Sequence, residues 1–71
     1  MPQYPDVSGE DAVEALKRLG FIFLRLNGSH AILSRGDSGC VVPMHREINR
    51  STFKSVLLQA GVSLEKFESN L

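Results

Sequence analysis

The segment Asn27-Gly28-Ser29-His30 lies between two apolar runs, 21–26 and 31–33, and it dictates a chain reversal. Asn-Gly between apolar runs is a strong hairpin signal, because both residues tolerate positive φ. Antiparallel strands must then flank it. Phe21-Ile22-Phe23-Leu24-Arg25-Leu26 reads as the outgoing strand. Strict alternation would put Ile22, Leu24 and Leu26 on one face and Phe21, Phe23 and Arg25 on the other. His30 to Ser34 is the return strand, and Arg35-Gly36-Asp37-Ser38-Gly39 the next turn. Cys40-Val41-Val42 forms a third short strand, ended by Pro43, which has no N–H for a ladder.

Helical signals flank this meander. Ser8 followed by Asp11 resembles an N-cap with an acid at the third position. Ala12, Val13, Leu16 and Leu19 recur at helical spacing, acids lie early and Lys17-Arg18 late, and Gly20 suits a stop. A helix is expected over 8–19. Phe53, Val56, Leu57 and Ala60 form the stripe of a second helix, with Ser51 or Thr52 as cap and Gly61 as stop. Ser63 can cap a last short helix carrying Leu64, Phe67 and Leu71. Residues 1–7 read as an irregular lead-in and 44–50 as a loop. The expected fold is α+β, α-β-β-β-α, with both helices on one face of a three-stranded antiparallel sheet.

At 71 residues the chain is expected to form one domain, 1–71. No apolar run approaches the roughly 20 residues of a membrane span, and no signal segment leads the chain, so the expected compartment is the cytoplasm. The single cysteine, Cys40, excludes an internal disulfide, and with His30 and His45 it makes no zinc spacing. It reads as a small buried hydrophobe. Net charge is zero, yet the window from Lys17 to Lys54 holds seven basic residues against Asp37 and Glu47, a local charge of +5. A basic middle suits a polyanion such as RNA.

Five ordered segments carry a resemblance: Val7-Ser8-Gly9-Glu10, Leu16-Lys17-Arg18-Leu19-Gly20-Phe21, Gly28-Ser29-His30, Val42-Pro43-Met44-His45-Arg46 and Gln59-Ala60-Gly61-Val62-Ser63. Together they resemble the HicA toxin family across roughly residues 7 to 68. The resemblance implies a fold like that of double-stranded-RNA-binding domains. It implies an mRNA interferase, an endoribonuclease that needs no metal or other cofactor. It also implies a HicB-type antitoxin that neutralises the enzyme by covering its active site. The family's catalytic histidine falls on His30. Many members carry a second histidine directly after it; this chain has Ala31. Neighbouring strand residues face opposite ways, so His30 keeps its own face.

RNA brings its own nucleophile, the 2′-hydroxyl, so a ribonuclease needs a base, an acid for the departing 5′-oxygen, and positive charge near the phosphate. Histidine, with an ordinary pKa of about 6.5, can serve as either acid or base. His30 is the first candidate and His45 the second. Gly28 can admit an RNA backbone as well as form the turn, and Ser29 can donate to phosphate. Among Arg25, Arg35, Arg46, Arg50 and Lys54, the leading phosphate contacts are Arg46, beside His45, and Lys54, in the expected first turn of the second helix. Phe21, Phe23, Met44 and Phe53 read first as core. Two other functions fit the same fold: a non-catalytic RNA-binding module, and a protein-interaction domain with no RNA role.

Overall fold

Ser8 starts the first helix. Its Oγ accepts from the Asp11 N–H at 3.0 Å while its own N–H reaches the Asp11 carboxylate at 3.5 Å, a reciprocal capping box. In the computed structural model, which describes residues 4–71, the order is α1 (Gly9–Arg18), β1 (Ile22–Asn27), β2 (His30–Arg35), β3 (Ser38–Pro43), α2 (Arg50–Ala60) and α3 (Leu64–Glu68). This is the expected α+β class, with the expected short last helix. Residues 4–8 take no regular structure, as expected of the lead-in; its first three positions lie outside the described residues.

The sheet has the order β1-β2-β3, antiparallel throughout. Both turns are tighter than the sequence suggests. Asn27 pairs with His30, so only Gly28 and Ser29 turn; Arg35 pairs with Ser38, so only Gly36 and Asp37 turn. Positive φ falls on Gly28 (64°) and Gly36 (58°) and on no residue other than glycine among those described. A positive φ at the first central position alone is the φ pattern of a type II′ turn, a Gly-X device. Asn27 therefore stays extended and ends β1, and β3 begins at Ser38 rather than Cys40.

The expected alternation of β1 also fails, for an identifiable reason. Phe23 pairs with Leu33 but Arg25 pairs with Ile32, leaving Leu24 as an unpaired extra residue. A bulge of one residue inverts every side chain beyond it. Phe23 and Leu26 thus share the face of Leu33 and Ala31, while Ile22 and Arg25 share the opposite face with Ile32 and His30. Phe23 and Arg25, expected on one face, are divided by the sheet.

The second helix starts earlier than expected. Asn49, not Ser51 or Thr52, is the cap: its Oδ1 accepts from the Thr52 N–H at 2.9 Å and from Ser51 Oγ at 3.0 Å. Asn is as good a cap as Ser and better than Thr, and taking this role moves the boundary. Gly61 closes α2 in the left-handed conformation. Ser63 caps α3 as expected, accepting from the Lys66 N–H at 3.1 Å.

The helices cover one face of the sheet. Ala31, Leu33, Cys40 and Val42 point into a core built with Ala12, Leu16, Phe53, Val56, Ala60 and Phe67. Phe53 packs edge-on against Phe67 (4.9 Å between centroids) and Tyr4 (5.7 Å). No polar or charged side chain is buried among the described residues. The reach of the helices falls short of β1, all of whose residues are exposed. Phe21, just ahead of the strand, is buried as expected, but Phe23 is 42% exposed. Leu71 is likewise outside the core. No helix among the described residues is long and apolar enough to cross a membrane.

Candidate active site

His30 opens β2 directly after the Gly28-Ser29 turn and is exposed. Pro43, the last residue of β3, lies opposite it. From Pro43 the chain leaves the sheet, and three backbone hydrogen bonds set its course. The Met44 N–H donates to the Ser29 carbonyl (2.7 Å), carrying the ladder one step past the strand ends. The Gly9 N–H donates to the His45 carbonyl (2.9 Å), and the Ile48 N–H donates to that of Val7 (2.9 Å). The loop bearing His45 is therefore docked on the start of α1 and on the turn that precedes His30.

Gly9 makes that docking feasible. A Cβ there would lie 2.4 Å from the Pro43 oxygen and 2.6 Å from the Met44 Cα. Both are backbone atoms, so nothing yields cheaply. A glycine that by propensity weakens a helix stands here because loop and helix are in contact.

The consequence is a cleft of about 350 Å³ lined by both histidines, His30 and His45, together with Val41, Pro43, Glu47, Ile48, Asn49, Thr52 and Gln59. The two imidazoles come from positions 15 residues apart. Nothing in the sequence marked Glu47, Asn49, Thr52 and Gln59 as site residues, because they meet at the cleft only once α2 and the loop before it pack beside β3. The Val41 N–H, at the free edge of β3, donates to Gln59 Oε1 at 3.1 Å and holds that edge to the helix.

The cations fall around the cleft rather than in it. No arginine or lysine lines it. Arg46 lines an adjoining cavity with His45, Ser8, Glu10 and Met44. Arg25 lies on the His30 face of the sheet, because the two-residue turn pairs it with Ile32. Arg50 is the first residue of α2, next to the cap Asn49. Lys54 is the fifth helical residue, outside the first turn, and lines neither cavity. The placement expected of it is corrected by the Asn49 cap. Arg35 is engaged elsewhere: it stacks 4.7 Å over Phe21 and donates to the Leu19 carbonyl at 2.9 Å. Gly28 and Ser29 sit at the turn, where a Cβ on Gly28 would meet nothing within 4 Å. Met44 is partly buried against the core. Cys40 is buried, and desolvation pushes its thiol up to about 11, which suits the packing role expected of it.

Two imidazoles at one cleft, with a carboxylate and neutral polar groups in the same lining, can move protons to and from a bound chain. Comparison with known families agrees on the wider identity. Residues 9–62 match the model of the HicA toxin of bacterial toxin-antitoxin systems. That span runs from the glycine under the His45 loop to the residue after the α2 stop, and it includes every residue of the cleft. No match is found among curated proteins. With the family model covering most of its length, the chain belongs to the HicA toxin family, the toxin half of a system that pairs it with an antitoxin.

Proposed function

We propose that this toxin is a metal-independent endoribonuclease, an mRNA interferase acting in the cytoplasm, and that His30 and His45 are its acid–base pair. The observation that supports this most is their convergence on one cleft from two separate segments. One imidazole takes the proton of a ribose 2′-hydroxyl as that oxygen bonds to phosphorus. The other, as imidazolium, gives a proton to the 5′-oxygen as the phosphorus–oxygen bond to it breaks. The products are a 2′,3′-cyclic phosphate and a free 5′-hydroxyl, and the balance closes with no other reactant. The phosphate's charge is met from the rim, by Arg25 and Arg46, by Gly28 and Ser29 at the turn, and by Arg50 and the N-terminus of α2. Lys54 contributes at longer range.

A HicB-type antitoxin neutralises the enzyme in this reading by covering the cleft. The test is incubation of purified protein with structured mRNA in EDTA. Wild-type protein cuts; folded His30→Ala loses about 10²–10⁴-fold in rate, the contribution of one positioned acid–base group. Folded His45→Ala loses one limb of the bell-shaped pH profile. Cleavage by His30→Ala at the parental rate sinks the assignment, and RNA retained uncut by the wild type favours the binding-module reading instead.

A further inference from the structure

Two side chains of the cleft are amides, and in both the oxygen is already committed. Gln59 Oε1 accepts from the Val41 N–H at the β3 edge (3.1 Å). Asn49 Oδ1 accepts from the Thr52 N–H (2.9 Å) and the Ser51 hydroxyl (3.0 Å) at the start of α2. An amide whose oxygen is held by backbone N–H groups has its orientation fixed, and its NH2 is the free end. Neither NH2 donates to any protein acceptor among the described residues. Both side chains are exposed and both line the cleft that holds His30 and His45.

We infer that Asn49 and Gln59 are specificity-determining residues, donating hydrogen bonds to acceptor atoms on the bases beside the scissile phosphate. This rests on the ribonuclease reading above. The reasoning is one of spacing and charge. The two residues are ten apart on one helix, or about 15 Å along its axis at 1.5 Å per residue. Backbone positions that far apart along one cleft suit separate nucleotides of an unpaired strand. The cleft walls carry no arginine or lysine to hold backbone charge. Apart from the two histidines and the Glu47 carboxylate, what they offer is neutral and directional, and unpaired RNA is read through hydrogen bonds to exposed base edges. Bases presenting carbonyl oxygens or ring nitrogens as acceptors fit donors that cannot flip.

The locked oxygens also supply the experiment. Gln59→Glu keeps an acceptor for the Val41 N–H but removes the NH2. Asn49→Asp keeps an equivalent cap and removes the other NH2. Each variant should melt with the wild type while its cleavage map, read on a single-stranded RNA containing all short sequence contexts in EDTA, is redistributed. Preferred sites should fall about 3- to 10-fold relative to the rest, the worth of one hydrogen bond. Asn49→Asp carries the test if Gln59→Glu loosens the β3 edge. An unchanged map, or a uniform fall at every site from added negative charge, overturns the inference and leaves the catalytic reading intact. A wild-type protein that cuts nothing overturns both.

Discussion

At the residue scale the protein is governed by a few atoms with no room or no water around them. Gly9 is the sharpest case. Gly9→Ala removes a helix-weakening residue yet drives a Cβ into the Pro43 oxygen and Met44 Cα. Overpacking of this kind costs about 1–3 kcal/mol, to be read as a lower urea midpoint. Because the Gly9 N–H holds the His45 carbonyl, the same variant should disturb the cleavage pH profile more than an equally destabilising change in α3. Cys40 makes a pH prediction. Its thiol stays protonated to about 11 when folded, against an ordinary 9.0. The stability this brings is complete below the lower value and is lost as pH rises through the upper one. Unfolding free energy should therefore fall more between about pH 8 and about pH 11 in the wild type than in Cys40→Ala; equal slopes refute it. The candidate site was partly legible in the chain. His30 stood out because a histidine right after a hairpin turn must lie at a sheet's rim, and it does. Glu47, Asn49, Thr52 and Gln59 could not be read, since polar residues on a helix and loop look alike whether or not a strand passes beside them.

At the element scale, ends and turns decide more than interiors. The helices begin at Ser8, Asn49 and Ser63, each accepting from the backbone N–H three residues on. Asn49→Ala should cost about 0.5–2 kcal/mol and Asn49→Asp close to nothing, which circular dichroism melts will separate. The same contrast checks the position of the cap, since a helix capped by Ser51 or Thr52 would not notice Asn49→Ala. The periodicity of α1 and α2 was plain from sequence, because a 3.6-residue stripe survives small errors at either end. Strand detail was less so. One bulged residue, Leu24, reassigns the faces of Ile22 and Phe23 relative to the register set at the turn. Nothing in residues 21–26, apolar but for Arg25, signals where an extra residue will sit, because apolar side chains fall on both faces in either register. The turn fixes Arg25 on the face of His30, and the bulge moves Phe23 to the opposite one.

At the scale of the whole molecule, a chain of 71 residues has one cluster of buried side chains among those described and a thin margin. Its stability should be on the order of 4–10 kcal/mol. Leu33, fully buried at the sheet centre, should cost about 2–5 kcal/mol when changed to Ala. Leu24, 52% exposed at the bulge, should cost less than about 1 kcal/mol; chemical denaturation of the two variants tests whether β1 really stands outside the core. The only ion pair among the described residues, Lys17 with Glu14 at 3.5 Å, is exposed, so this order should hold with salt. What the amino-acid order determined alone was local: where helices can start and stop, where the chain must reverse, which residues are apolar enough to be hidden, and a set of motifs that places the chain in its family. Those properties depend on neighbours a few positions away. Tertiary structure alone decided that the His45 loop docks on Gly9, that α2 closes over the β3 edge, and hence that two histidines share a cleft. These are contacts between segments far apart in the chain, and their geometry exists only once the core has drawn the segments together.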